Sequence, residues 1–191
     1  MPRVLVLFAH PAFQKSRINR VLADSARAID GVTFHDLYEA YPAFDLDVAR
    51  EQAQLEAHDV VVFQHPFYWY SCPALLKEWL DLVLEYGFAY GPGGTRLHGK
   101  SALSALNTGG SEQACSHEGP NHYTIRELLA PFEQTARLCG MGWLPPFVVH
   151  DSIRLTDDSL IRRRADEYAR MLTELRDGEP LSTVRTEPSA D

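Results

Sequence analysis

The sequence predicts an α/β fold, a doubly wound sheet of five parallel strands with helices packed on both faces. Strand-like and helix-like segments alternate five times along the 191 residues, as in proteins built from repeated strand–helix units. The two clearest strands, residues 3–8 and 59–64, are apolar throughout, which is typical of parallel strands buried on both faces. No internal repeat or linker interrupts this pattern, so one domain is expected over residues 1–176.

The individual elements are predicted from the spacing of apolar residues. Short apolar runs indicate strands at residues 3–8, 32–37, 59–64, 103–106 and 147–150. Helical patterns cover residues 16–29, 47–57, 73–86, 123–139 and 155–176. Pro73 stands where the first turn of a helix tolerates proline, and Gly140 is a stop signal. The polar residues 177–191 include Gly178, Pro180 and Pro188, and we expect them to form a poorly ordered tail.

The charge and the cysteine content exclude several classes of function. With 26 acidic and 18 basic residues the formal charge is −8, and no Lys/Arg block is present, a poor match to nucleic acid or anionic membranes. Cys72, Cys115 and Cys139 form no C-x-x-C pair, so reduced thiols are expected rather than disulfides or a zinc site. No signal-peptide pattern is present, and no segment reaches the roughly 20 apolar residues that span a bilayer. We therefore expect a soluble intracellular protein with no bound metal.

The first candidate binding loop follows the first strand. In doubly wound sheets, ligands bind outside the carboxyl ends of the strands, here the loops after Phe8, Gln64 and Leu106. In the first loop, Ser16 stands where a helix begins, and the free N–H groups at a helix N-terminus favour a phosphate. Taken alone, Ser16 is better explained as a simple helix cap. The loop contains no G-x-G-x-x-G or P-loop pattern, so a standard dinucleotide or triphosphate site is not supported.

The second loop, residues 65–73, contains four consecutive aromatic residues between two prolines. Four adjacent aromatic side chains cannot all point into one core, so some must lie at the mouth of the sheet, where a flat ring system can stack on them. A competing interpretation is that they cover the sheet edge or form an interface. Pro66 and Pro73 favour binding, because they stiffen the loop as a preorganised platform requires.

The third loop is the Asn-Thr-Gly-Gly-Ser segment at residues 107–111. Gly109 and Gly110 let the backbone approach a ligand and expose N–H donors, although two glycines also suit a tight turn. Three ligand-competent loops at one sheet edge are a stronger indication than any one of them. Together they match flavin mononucleotide (FMN), because its phosphate suits a helix N-terminus, its ring suits an aromatic platform and its polar ring edge suits backbone donors.

Three spaced motifs resemble a known family. H-P-x-x-x-x-S-x-x-N at residues 10–19, P-x-x-W-Y at 66–70 and N-T-G-G at 107–110 look like those of the flavodoxin-like NAD(P)H:quinone oxidoreductases. The chain further resembles the ancillary reductase subunits of glutathione-gated potassium efflux systems, most closely at residues 38–42, 88–100 and 139–150. The similarity covers about residues 3–175. A one-electron flavodoxin is disfavoured, because its first loop is rich in Gly and residues 10–19 contain none.

The resemblance implies a homodimeric, flavodoxin-like flavoenzyme that passes hydride from NADH or NADPH to a quinone-like acceptor by ping-pong kinetics. Relatives of this fold carry FAD or FMN, and the short chain favours FMN. The implied flavin-binding residues are His10, Ser16, Arg17, Ile18 and Asn19 around the phosphate and ribityl chain, Pro66, Phe67, Tyr68 and Trp69 along the ring, and Asn107, Thr108, Gly109 and Gly110 at its polar edge. The alternative is a regulatory role, as a cytoplasmic activator bound to a potassium–proton antiporter at the inner face of the membrane.

One departure from the family pattern concerns proton delivery. The larger quinone reductases place a Tyr and a His after the T-G-G motif, and here the Tyr position corresponds to Cys115. His117 and His122 are the candidate catalytic histidines, and surface histidines are an equally good interpretation. We also expect residues 73–86 and 88–94 to lie near a homodimer contact, because the predicted helix carries more apolar residues than one buried stripe needs.

Overall fold

A computed structural model describes residues 1–181 and contains one parallel sheet. Its strands are β1 (Val4–Phe8), β2 (Val32–Asp36), β3 (Val60–Pro66), β4 (Ser101–Asn107), β5 (Gly142–Trp143) and β6 (Phe147–Val149). The strand order is β2-β1-β3-β4-β5, with β6 also paired to β4. The predicted doubly wound parallel sheet is confirmed.

The helices cover both faces of this sheet. They are α1 (Arg17–Arg27), α2 (Leu37–Ala40), α3 (Val48–Ala57), α4 (Ala74–Val83), α5 (Ile125–Leu128), α6 (Ala130–Leu138) and α7 (Asp158–Asp177), with 3₁₀ turns at Phe13–Lys15 and Gln113–Cys115. On one face, side chains of α3, α4 and α6 pack on alternate residues of β1 and β3; on the other, α1 and α7 pack on the remaining ones. Every residue of β1 and β3 is therefore buried, as their unbroken apolar runs predicted.

Two predicted elements are each divided in the structure, and the predicted strand at 32–37 ends at Asp36, because Leu37 begins α2. The single helix expected at residues 123–139 is interrupted at Leu129, because Pro131 falls in the first turn of α6 and has no N–H for a helical hydrogen bond. The single last strand is divided into β5 and β6, which pair with successive stretches of β4. Pro145 and Pro146 lie in the gap and cannot donate to the strand ladder.

A buried carboxylate ties α3 to the sheet and to α4. Glu51 is fully buried and accepts hydrogen bonds from Tyr41 Oη (2.6 Å), Trp79 Nε1 (2.8 Å) and His35 Nε2 (2.9 Å). Burial raises the pKa of this carboxyl group, but the three donors outweigh burial and lower the pKa below its ordinary value. The cluster therefore holds a charge inside the core with its hydrogen bonds satisfied.

Helix α7 ends the described fold. It runs to Asp177, and Gly178 terminates it in the left-handed conformation at φ 73°. The domain boundary predicted after residue 176 thus falls one residue before the end of the helix. Of the predicted tail, residues 182–191 lie outside the described part of the chain, and the expectation that they are poorly ordered stays a prediction.

Candidate functional site

Four loops meet at the carboxyl edge of the sheet. They follow β1, β3, β4 and β6, which are neighbours in the sheet and parallel, so their ends lie together. A side-chain hydrogen bond joins the first and third loops, since Asn19 Nδ2 donates to Asn107 Oδ1 at 2.7 Å. The second loop is bound to the third by the Phe67 amide, which donates to the Asn107 carbonyl at 2.9 Å. Asn107 is the residue that connects all three.

The start of α1 presents hydrogen-bond donors that suit an anion. Ser16 Oγ accepts hydrogen bonds from the Asn19 amide (3.2 Å) and from Asn19 Nδ2 (3.0 Å). A hydroxyl has two acceptor positions and one proton, so the Ser16 O–H remains able to donate. The amides of Arg17 and Ile18 belong to the first turn, where N–H groups have no intrahelical partner. Ser16 is thus both a helix cap and a donor, and the two interpretations of the sequence are compatible.

Two residues expected around the phosphate have side chains that point elsewhere. The guanidinium of Arg17 turns to α7, where it donates to Asp158 Oδ1 (2.7 Å) and to the Thr156 carbonyl (2.9 Å). The side chain of Ile18 is buried in the core under α1. Their main-chain N–H groups remain at the helix start. The charge of Arg17 is therefore shared with an aspartate rather than directed to the first loop.

His10 lies buried at the end of β1. Its Nδ1 accepts a hydrogen bond from the Ala12 amide at 3.1 Å, and its ring contacts Tyr68 edge-on at 6.1 Å between centroids. Burial lowers the pKa of His10, which favours the neutral ring at pH 7. With Nδ1 occupied as an acceptor, the neutral ring carries its proton on Nε2, where it can be donated to a ligand.

The aromatic loop projects a tryptophan into solvent. Tyr68 and Ser71 pair across a tight turn, with the Ser71 amide donating to the Tyr68 carbonyl at 3.0 Å. The two central residues, Trp69 and Tyr70, both have positive φ, 49° and 62°, a conformation that costs an L-residue energy. The Trp69 side chain is 93% exposed. The prediction that some of these aromatics lie at the mouth of the sheet agrees with this geometry, and core packing does not explain Trp69.

His65 lies buried near the end of β3, directly before the aromatic loop. It is fully buried, its ring stacks on Phe132 at 5.5 Å, and its Nδ1 lies 3.0 Å from the carbonyl oxygen of Pro66. Burial lowers the pKa of His65 to about 4, so the ring is neutral at pH 7 and its Nδ1–H is the group that can donate to Pro66. Sequence reasoning missed this residue, because a histidine at a strand end carries no spacing signal.

The glycine loop presents free backbone donors. Across residues 1–181, the amides of Gly109 and Gly110 make no hydrogen bond to another group of the protein. Thr108 is buried, and its hydroxyl donates to the Gly110 carbonyl at 2.7 Å, which fixes the turn. A Cβ on Gly109 would lie 2.9 Å from Ile153 Cδ1, so the absence of a side chain is what lets the two loops approach.

The fourth loop, residues 150–157, was not predicted as part of the site. The Ser152 amide donates to the Thr108 carbonyl, and Asn107 Nδ2 donates to Ser152 Oγ at 3.0 Å. His150 Nδ1 lies 3.3 Å from Thr108 Oγ1. Because the Thr108 proton is used on Gly110, His150 is the donor in this pair. The signal was available, since the predicted strand at 147–150 ends at the same edge.

The two candidate catalytic histidines lie farther out. His117 is exposed, its Nε2 lies 3.6 Å from Glu127 Oε1, and its Nδ1 lies 3.3 Å from the His122 carbonyl. His122 is exposed at φ 60°. Within the described residues neither ring is hydrogen-bonded to the glycine loop, whereas His150 Nδ1 lies within hydrogen-bond distance of Thr108 Oγ1. A catalytic role for His117 or His122 stays a prediction.

A comparison with protein-family models decides the family. The model described as flavodoxin-like fold matches residues 2–172. The chain belongs to the flavodoxin-like fold family. The resemblance drawn from the three loop motifs is thereby confirmed at the level of fold.

Relatives of this flavodoxin-like chain include members of both groups that the motifs indicated. The glutathione-regulated potassium-efflux system ancillary protein KefG of Enterobacter sp. (strain 638) is 53% identical over 148 residues, covering 78% of this chain and 81% of that protein. Among solved structures, general stress protein 14 of Treponema denticola in complex with FMN is 36% identical, with a TM-score of 0.83 over 93% and 99% of the two chains. An NADPH-quinone reductase of P. pentosaceus is 32% identical, with a TM-score of 0.80 over 88% and 96%. A structure from Streptomycin violaceusniger named a thermophilic tryptophan halogenase is 45% identical, with a TM-score of 0.83 over 86% and 95%.

The flavodoxin-like site has the donor set that a flavin mononucleotide needs. The Ser16 hydroxyl and the first-turn amides of α1 suit the phosphate, the free amides of Gly109 and Gly110 suit the polar ring edge, and Trp69 suits the ring face. Within the described residues, no cluster of three or more His, Cys, Asp or Glu side chains is placed to hold a metal. No helix in this part of the chain is long and apolar enough to cross a membrane.

Proposed function

We propose that this protein reduces quinones by two electrons at the expense of NADH or NADPH, using FMN bound at the carboxyl edge of its sheet. The observation that carries this proposal is that a helix start with free N–H groups, an exposed aromatic side chain and two free backbone amides lie on loops at one edge of the sheet. The 36% identical structure that holds FMN and the 32% identical NADPH-quinone reductase support it.

The residues of the chain would bind and orient the reactants. FMN, when bound, would supply the hydride chemistry, which no side chain can perform. The amides of Gly109 and Gly110 would stabilise negative charge at the polar edge of the ring, since preorganised donors in a partly dry site need no rearrangement. Neutral His10 and the Ser16 hydroxyl would hold the phosphate and ribityl chain. Proton supply to the acceptor would come from solvent or from a histidine near the glycine loop.

A single flavin site at one sheet edge would favour alternating occupancy. NAD(P)H and the acceptor would use the same side of the site in turn, so the oxidised nicotinamide must leave before the quinone binds. This order predicts ping-pong kinetics with parallel double-reciprocal lines.

The test begins with the cofactor. The purified protein should be yellow and should release FMN, not FAD, on denaturation. Steady-state assays should then show NAD(P)H-dependent quinone reduction with parallel lines when the acceptor is varied. A colourless protein that cannot be reconstituted would refute flavin binding, recovery of FAD alone would refute FMN, and intersecting lines would refute alternating occupancy.

We further propose that the protein forms a homodimer through α4 and the segment that follows it. The structure narrows the surface available: Leu75, Leu76, Trp79 and Val83 are fully buried within the chain, so they supply no contact. The exposed apolar groups near this helix are Leu82 (42%) and Tyr86 (66%), and a contact must be built around them.

A second candidate function is regulatory, and the naming of the curated relatives favours it. Several proteins 48–53% identical to this chain are named potassium-efflux system ancillary proteins. Under this proposal the chain is cytoplasmic and binds a potassium–proton antiporter at the inner face of the membrane. Co-purification of the flavin-loaded protein with such a transporter, and a change in potassium efflux on its addition, would support this role. Undiminished efflux regulation without the protein would refute it.

A further inference from the structure

A hydrogen-bonded chain crosses the mouth of the site from the aromatic loop to the loop after the glycines. The Tyr70 hydroxyl donates to Asn121 Oδ1 at 3.3 Å, and Asn121 Nδ2 donates to Cys115 Sγ at 3.5 Å. These residues belong to different loops, 51 positions apart for the first pair. Nothing in the flavin-binding motifs requires this connection.

Asn121 also lies directly against the glycine loop. A Cβ built on Gly110 would be 3.6 Å from Asn121 Nδ2 and 3.8 Å from Cys115 Sγ. The Asn121 amide is anchored by its own backbone, which donates to the Ala114 carbonyl at 3.2 Å. Tyr70 therefore reaches a fixed point beside the backbone donors that suit the polar edge of the flavin ring.

The Tyr70 end of this chain stands on strained backbone. Tyr70 has φ 62° and follows Trp69 at φ 49°, in a two-residue turn that normally selects Gly or Asn. Strain of this kind persists only where surrounding contacts determine the conformation. Within residues 1–181, the Tyr70 ring packs edge-on against Phe67 at 6.4 Å between centroids, and its hydroxyl donates to Asn121. Tyr70 is still 52% exposed, so its ring can move outward when the bond breaks.

We propose that Tyr70 and Asn121 form a latch across the mouth of the site that selects electron acceptors by size. The closed latch ties the aromatic loop to residue 121 and narrows the entry between them. Small one-ring acceptors pass it, whereas larger fused-ring acceptors must break the bond. This inference rests on the proposed quinone reductase function and adds a selectivity that the binding motifs do not contain.

The test uses three single variants and one double variant of the FMN-loaded protein. Tyr70→Phe removes one hydroxyl and keeps the ring, Asn121→Ala removes the acceptor, and Tyr70→Phe/Asn121→Ala tests whether the two act together. Tyr123→Phe is the matched control, because Tyr123 is an exposed tyrosine of the neighbouring loop whose hydroxyl makes no hydrogen bond within the described residues. For each variant, kcat/KM is measured with a one-ring benzoquinone and with a three-ring anthraquinone. Hydrogen exchange of residues 67–72 is measured in the flavin-free protein, as a readout independent of turnover.

The expected result is a rise in the anthraquinone-to-benzoquinone ratio of kcat/KM by about 2- to 10-fold in each latch variant, the range that one neutral hydrogen bond is worth. The double variant should show no further rise, exchange at residues 67–72 should be faster in all three, and Tyr123→Phe should match the wild type. Unchanged exchange would show that no latch exists, and faster exchange with an unchanged ratio would show that it selects nothing. Either outcome overturns the inference while an active wild type leaves the proposed function intact. A wild type that binds flavin but reduces neither quinone would instead refute the proposed function and the selection together.

Discussion

Replacing Trp69 should have two separate effects, one on the free energy of unfolding and one on the affinity for FMN. Its side chain is 93% exposed, so removing it sacrifices almost no buried area. Its φ of 49° costs an L-residue roughly 1–2 kcal/mol, which glycine avoids. Glycine loses roughly 0.5–1 kcal/mol through the greater freedom of the unfolded chain. Trp69→Gly should therefore stabilise the flavin-free protein by about 0.5–1 kcal/mol relative to Trp69→Ala, which keeps the strained Cβ.

Both Trp69→Gly and Trp69→Ala should weaken flavin binding, and by the same amount. Loss of the stacking face should cost about 0.5–1.5 kcal/mol, or about 2- to 12-fold in the Kd for FMN. Urea unfolding of the flavin-free proteins measures the first effect, and titration of FMN fluorescence measures the second. The reasoning fails if Trp69→Gly is no more stable than Trp69→Ala, because the positive φ would then carry no strain. It fails equally if the Kd is unchanged, because Trp69 would then be no platform.

Three further predictions concern the core, the histidines and the oligomer. Trp79→Phe removes one donor to Glu51 and should lower the free energy of unfolding by about 1.5–3 kcal/mol at pH 7. The pKa of Glu51 in the folded protein lies below its ordinary value of 4.5, so the cluster stabilises the fold above pH 4.5 and this contribution is lost as the pH falls through the folded-state pKa. Urea titrations should therefore show a smaller destabilisation by Trp79→Phe at pH 3 than at pH 7. His150→Gln should slow steady-state turnover by about 2- to 10-fold, because the hydrogen bond to Thr108 is lost. His117→Ala and His122→Ala should slow turnover less. The opposite ranking would indicate that the exposed histidines are the proton source. Sedimentation at micromolar concentration should show a dimer that Leu82→Asp converts to monomer, and a monomeric wild type would count against the interface.

The sequence was sufficient for the architecture because burial on both faces leaves a direct trace. The runs at residues 3–8 and 59–64 have no polar alternation, and both became fully buried central strands. Prolines were harder to interpret. Pro131 interrupts the helix expected at 123–139, and its place one residue inside a new helix depends on tertiary packing that the periodicity does not reveal.

The site could be located from sequence but not fully assembled. Asn107 was expected at the ring edge, and its bonds to Asn19 and Ser152 join residues 88 and 45 positions away. Such distant partners leave no local pattern. Arg17 was expected to add charge near the phosphate, and Asp158, 141 positions away, holds its guanidinium instead. The fourth loop could have been included, because it follows the predicted strand at 147–150, but its hydrogen bonds to Asn107 and Thr108 could not be read from the sequence.

The broken outer strand beside β4 has a consequence for solubility. An intact edge strand offers a row of unpaired N–H and C=O groups on which another chain can add, and runaway addition of this kind leads to aggregates. Here that side of the sheet presents only two short stretches, Gly142–Trp143 and Phe147–Val149, separated by two prolines that cannot donate. A foreign strand therefore finds no continuous ladder to extend on this side. Concentrated solutions of the protein should resist fibril growth from this edge, and substituting Pro145 and Pro146 together by Val and Thr should remove that protection.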